Sequence, residues 1–229
     1  EGLTMQEFWD VLVGIKQASE RAGVHIVTGD TKVVERGKGD RIFINTTGIG
    51  QVHPNANIAM GHIQPGDKII CSGPIATHGI VIMSLRQGLE FGTSLQSDTA
   101  NLNHTVLRLL DDHGHDIPLL RDATRGGVAT VLNEIARDTR WGVEIHQKDL
   151  HVLDEVAGAC EMLGLDPLYV ANEGVFLAVV RPAAANAVLQ KLRTLEHGAA
   201  AEIIGEVVDA HPRQVVLHSL VGGRRVVNM

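Results

Sequence analysis

Two adjacent glycines, Gly126 and Gly127, mark the point where the apolar period of this chain changes. The stretch "LLRDATRGGVATVLNEIARDT" reads as the end of a strand, a glycine turn and then a helix. A strand running straight into a helix calls for a sheet with helices laid on it. The other runs fit that demand. Helical patterns are predicted over 4–22, 77–86, 98–113, 152–163 and 183–194. Strands are predicted over 25–35, 41–52, 68–72, 143–146, 167–171, 174–180, 201–208, 214–218 and 225–227. "RGKGD" between the first two strands is a hairpin signal. Thr4 can cap the first helix, which shows Phe8, Leu12, Ile15 and Ala18 on one face and ends at Gly23. Hairpins mixed with helices, and few strict β-α-β repeats, predict an α+β or mixed α/β architecture.

Length allows one large domain or two small ones, since 229 residues can bury a real core. "HIQPGDKIICSG" looks like a domain start, with Pro65-Gly66-Asp67 as a turn. No apolar run reaches the roughly 18 residues of a membrane span. The first residues, "EGLTMQEFWD", lack the basic and apolar regions of a signal peptide. Glu1 in place of Met and the abrupt end at Met229 suggest a longer natural protein. A net charge of −7, from 27 acidic and 20 basic side chains, argues against a broad nucleic-acid surface. Cys71 and Cys160 are the only cysteines, which suits a reducing compartment and supplies no zinc pattern. Twelve histidines are scattered, and the close pair His113 and His115 has no evident third ligand.

Three stretches could carry chemistry. Gly29-Asp30-Thr31-Lys32 interrupts a β-rich run. It reads either as a bulge with solvent-facing side chains or as a nucleotide site, in which a carboxylate holds Mg²⁺ and an amine meets phosphate. Arg121–Ala136 places two glycines before a helix, where free N–H groups and the helix dipole favour an anion, with Arg125 as a fixed cation. The alternative is a tight turn whose glycines serve packing. No dinucleotide-binding glycine pattern or P-loop is present. Asn172-Glu173-Gly174 breaks two apolar runs, so Glu173 is either a turn residue in solvent or a general base. Asn45-Thr46-Thr47-Gly48 reads as the polar face of a strand, and Trp9 and Trp141 as packing residues.

Taken together, "GDTKVVERGKGDRIFINTTGIG", "PGDKIICSGPIATHG", "RDATRGGVATVLNEIA" and "ANEGVFLAVV" resemble the HypE family of hydrogenase maturation factors. These are carbamoyl dehydratases of the aminoimidazole-ribotide synthetase-like (PurM-like) superfamily. The likeness runs from about Gly2 to the end of the chain. The continuation Lys32 to Gly39 separates it from thiamine-monophosphate kinase and selenophosphate synthetase, which share the layout.

The resemblance implies a two-domain α+β fold. Residues 1 to about 61 would be the remainder of an N-terminal ferredoxin-like, ATP-binding and dimerisation domain. Residues 62–229 would form a C-terminal α/β sandwich. It also implies a cytoplasmic homodimer that uses ATP and Mg²⁺, with the carbamoyltransferase HypF and the HypC–HypD scaffold as partners. The implied activity is dehydration of a carbamoylated C-terminal cysteine to a thiocyanate, the source of cyanide for the iron of [NiFe]-hydrogenase. By match, Gly29, Asp30 and Thr31 line the nucleotide cleft, Asp30 holds Mg²⁺ or phosphates, and Lys32 stands near the carboxamide. Glu173 would accept the proton. Asp122, Thr124, Arg125, Gly126 and Gly127 would line the cleft from the second domain, with Asn45 on its wall. The family's glycine-rich ATP-binding stretch, its further Asp ligands and its terminal cysteine have no counterpart in this chain, which is therefore expected not to complete the reaction alone. The competing readings are another ATP-using enzyme of the superfamily, either a small-molecule kinase or an amide-activating ligase, and a non-catalytic maturation scaffold.

Overall fold

The computed structural model describes residues 1–88 and 95–229. Two compact units divide the chain, Glu1–Val52 and His53–Met229.

The first unit contains one helix, α1 (Met5–Ala22). Its start is set locally: the Thr4 side chain accepts the Glu7 N–H, and the Glu7 carboxylate accepts the Thr4 N–H, a reciprocal capping box. Gly23, at φ 64°, ends it in the left-handed region. The Glu7 carboxylate also pairs with Arg41, and the Thr4 hydrogen bonds followed by that cation hold its pKa below the usual range. No residue of α1 is buried, and Trp9 is exposed rather than packed.

The strands expected over 25–35 and 41–52 do not form in this unit. Among its described residues none is in a strand, and Val27, Val33, Phe43 and Ile49 are exposed. Strand propensity is mostly the gain of packing β-branched side chains on a half-buried surface, and a lone two-stranded ribbon is marginal. The "RGKGD" turn persists, with the Lys38 N–H donating to the Glu35 carbonyl and Gly37 at φ 83°.

The second unit is a layered sheet. Its strands are β1 (Lys68–Cys71), β2 (Leu119–Asp122), β3 (Gly142–His146), β4 (Phe176–Val180), β5 (Glu202–Val208), β6 (Val215–His218) and β7 (Arg224–Val226). They lie in the order β2-β4-β1-β5-β3-β6-β7, and all pair antiparallel except β3 with β6. The helices are α2 (Thr77–Gln87), α3 (Asn103–His113), α4 (Gly127–Thr139), α5 (Asp154–Leu163) and α6 (Ala185–Arg193).

Alternation along the central strands feeds two cores. Ile69 and Cys71 of β1, with Leu177 and Val179 of β4, join Val128, Leu132 and Ile135 of α4. Ile70, Ala178 and Val180 turn the other way, onto Leu109 of α3 and Val188 and Leu192 of α6. Both faces of β1 and β4 are thus covered, which is why these strands read as unbroken apolar runs. A third, smaller core joins α2 to α5 through Ile80, Val156 and Cys160.

Two expectations are corrected here. α3 begins at Asn103 rather than near Asp98, because the Asp98 carboxylate bonds backbone N–H groups of a distant loop. Residues 167–171 are not a strand but contain a 3₁₀ turn, Pro167–Tyr169. Pro167 cannot donate to a ladder, and the Asp166 carboxylate caps the Leu168 N–H at 3.0 Å.

Candidate functional site

Strand register brings three loops to one end of neighbouring strands. Cys71 lies opposite Leu177, and Asp122 opposite Phe176. The ends of β1 and β2 therefore flank the start of β4. The segments 72–76, 122–127 and 172–175 then knit together through main-chain bonds. The Ser72 N–H donates to the Phe176 carbonyl at 3.0 Å, and the Phe176 N–H donates to Ser72 Oγ at 3.0 Å. The Ala123 N–H donates to the Val175 carbonyl at 3.1 Å.

Asn172 is the knot of this arrangement. Its side chain is wholly buried. Oδ1 accepts the Ala76 N–H at 2.7 Å, and Nδ2 donates to the Ala123 carbonyl at 2.8 Å. One amide thereby ties the entry to α2, the loop before α4 and the loop before β4. The only sequence signal was a polar residue between apolar runs, and the residue singled out there was its neighbour. Glu173, in turn, is exposed.

Gly126 and Gly127 have packing reasons of their own. Both have positive φ, 73° and 62°. A Cβ on Gly127 would lie 2.5 Å from the Leu168 carbonyl oxygen and 2.6 Å from that of Val170. On Gly126 it would meet Thr130 Oγ1 at 2.1 Å. The turn therefore requires glycine whether or not an anion binds. Arg125 is exposed and makes no ion pair among the described residues, whereas Asp122 is exposed but paired with Arg121 at 2.7 Å. Thr124 is half-buried. A cation beside the N-terminus of a 13-residue helix can meet an anionic ligand.

Gly29, Asp30, Thr31, Lys32 and Asn45 belong to the first unit, and all are exposed. Among the described residues no group of three or more His, Cys, Asp and Glu side chains could hold a metal ion, so His113 and His115 find no third ligand. A Mg²⁺ held by one carboxylate together with phosphate oxygens and water remains compatible with Asp30. Both cysteines are buried; burial pushes the Cys71 thiol up to about 11, and burial followed by the Asp166 carboxylate raises Cys160. Neither suits a reactive thiol.

Residues 64–218 match the C-terminal domain of the AIR synthase related protein family, and residues 2–52 match its N-terminal domain. The two matches together define a protein carrying the N-terminal and the C-terminal domain of that family. Carbamoyl dehydratase HypE of Rhizobium leguminosarum bv. viciae is 45% identical over 228 residues. The match takes in 100% of this chain and 65% of that protein. The crystal structure of the HypE–HypF complex superposes with a TM-score of 0.95 at 42% identity, covering 100% of this chain and 74% of the other. The crystal structure of hydrogenase maturation protein HypE in complex with ATP does so at 0.95 and 43%, covering 100% and 70%. The chain belongs to the HypE family of the AIR synthase related proteins.

Proposed function

We propose that the protein of which this chain is part is an ATP-dependent carbamoyl dehydratase acting in [NiFe]-hydrogenase maturation. The observation that carries this reading is the 45% identity to a carbamoyl dehydratase HypE over 228 residues. It is supported by likeness to a HypE structure determined with ATP.

The substrate is the S-carboxamide of a C-terminal cysteine. An amide oxygen is a poor leaving group. The oxygen attacks the γ-phosphorus of ATP and releases ADP, one N–H proton is lost, and an O-phosphorylated isourea-like species forms. Loss of phosphate with the second N–H proton then leaves the thiocyanate. Arg125 and the helix N-terminus behind Gly126 and Gly127 meet phosphate, with Asp122 and Thr124 beside them. Gly29 and Thr31 give the nucleotide backbone and hydroxyl contacts, with Asn45 as a further contact of the first unit. Mg²⁺ supplies charge neutralisation at the phosphates, with Asp30 as its protein ligand. Lys32 steadies the carboxamide oxygen, and Glu173 takes the proton from nitrogen. An exposed Glu173 on a backbone fixed by Asn172 suits a group that must meet substrate.

Residues 1 to about 61 act as the remainder of the ATP-binding and dimerisation domain, and 62–229 as the AIR-synthetase-like domain. HypF loads the carbamoyl group, as the existence of a HypE–HypF complex suggests. The HypC–HypD scaffold receives the cyanide. The working form is a cytoplasmic homodimer.

Intact and C-terminal peptide masses of the full-length protein test this reading. Incubation with HypF, carbamoyl phosphate and ATP should add one carbamoyl group to a terminal cysteine and then remove one water. No such change would sink the proposal. Lys32→Ala or Glu173→Ala dehydrating at the wild-type rate would remove that residue's role.

A further inference from the structure

We propose that Asp98 is a positioning residue for Glu173, an inference that rests on the dehydratase reading above. Asp98 Oδ2 accepts two consecutive backbone N–H groups, Glu173 at 3.2 Å and Gly174 at 3.1 Å. A carboxylate receiving two main-chain donors makes strong, directional bonds. The Asp98 main chain presses on the same loop. A Cβ on Gly174 would lie 1.7 Å from the Asp98 carbonyl oxygen and 3.1 Å from Ala100 Cβ, so only glycine permits the approach. The segment is anchored in turn to α2: His78 Nδ1 lies 2.8 Å from Ser97 Oγ, and Ser97 Oγ lies 2.7 Å from Thr99 Oγ1. The Thr99 N–H also donates to Ser97 Oγ at 3.1 Å.

Glu173 is therefore gripped from two sides. Asn172 fixes the loop to the strand ends, and Asp98 holds the peptide N–H groups on either side of the Glu173 Cα. An exposed carboxylate gains a defined position only if its backbone cannot wander. The second oxygen, Asp98 Oδ1, is buried with no partner among the described residues. Asp98 also lines a cavity of about 270 Å³ with Gly73, Thr77 and Gly174. A buried acceptor left without a partner calls for a reason, and such arrangements cluster where geometry serves function.

The test uses full-length protein carrying Asp98→Ala or Asp98→Asn, with the terminal cysteine carbamoylated beforehand. Three readouts are the kcat for ATP-dependent loss of water, the KM for ATP, and amide hydrogen exchange at Glu173 and Gly174. Asp98→Ala should lower kcat roughly 10–100-fold, the scale of a misplaced catalytic group, with KM for ATP unchanged. Exchange at both amides should quicken. Asp98→Asn keeps one neutral acceptor and should fall between wild type and Asp98→Ala. Should the alanine variant not fold, the asparagine variant alone decides, by a reduced kcat with an unchanged thermal midpoint. Wild-type kcat in the folded variants overturns the inference, as does a loss of rate that merely tracks the unfolded fraction. Failure of the unsubstituted protein to dehydrate at all would instead remove the dehydratase reading.

Discussion

Asn172→Ala removes the knot of the candidate site and should cost far more than its chain position suggests. Asn172 and Ala76 are both wholly buried, so the Ala76 N–H that donates to Oδ1 at 2.7 Å would lose its only hydrogen bond to the side chain with no water to replace it. Stranding a buried donor costs about 1–3 kcal/mol. The Ala123 carbonyl loses the Nδ2 donor at 2.8 Å but keeps the Asn172 main-chain N–H at 3.3 Å. That loss is an ordinary net hydrogen bond, about 0.5–1.5 kcal/mol. Together they come to about 2–4 kcal/mol. At about 2–4 °C per kcal/mol for a protein of this size, the thermal midpoint should fall by roughly 5–15 °C in scanning calorimetry. Asn172→Asp should be at least as damaging, because it keeps the acceptor, turns the donor into a second acceptor facing a carbonyl, and buries a charge. A midpoint within about 2 °C of wild type for Asn172→Ala would refute the reasoning, since the calculation gives no route to so small a shift.

Three further outcomes follow from the same geometry. Gly127→Ala meets two carbonyl oxygens at 2.5 and 2.6 Å in addition to its positive φ, whereas Gly126→Ala meets a side-chain hydroxyl. Gly127→Ala should therefore be the worse of the two, by about 1–3 kcal/mol in urea titrations. Arg181→Ala leaves the Asp67 carboxylate, 1% exposed, without the guanidinium Nη1 that reaches both its oxygens at 3.0 and 2.8 Å. Breaking such a pair should lower stability by about 3–5 kcal/mol. Cys71 should resist a thiol reagent at pH 8 until the protein is unfolded. Its neutral form is favoured in the fold, so its contribution is complete below the ordinary value of 9.0 and is lost as pH rises toward about 11. Alkaline unfolding titrations should show a decline over that window that is shallower in Cys71→Ala than in wild type.

Local signals decided much of the second unit. The change of period at Gly126-Gly127 placed β2 and α4 correctly, and in the first unit the capping residues placed α1 to within one residue. These elements are written in nearest-neighbour chemistry: a hydroxyl that reaches an N–H three residues on, or a glycine that accepts positive φ. The runs over 25–35 and 41–52 carried the same composition as true strands, yet they form none in their unit. Residues 167–171 likewise looked apolar enough for a strand, but Pro167 and Asp166 won locally.

The site divides in the same way. The residues proposed for its chemistry, Arg125, Glu173 and the paired glycines, stand out in the sequence because their types and spacing contrast with apolar surroundings. Asn172 and Asp98 do not. Each acts through partners far away in the chain, Ala76 and Ala123 for one, Glu173 and Gly174 for the other. By itself the sequence determined the class of fold, the helix boundaries set by caps, and the residues with chemistry to offer. Only the tertiary structure decided which strands pair, which polar groups are buried and which loop holds which. Hydrogen bonds between segments 49 to 96 residues apart leave no periodic trace, because their partners are chosen by the folding of everything between them.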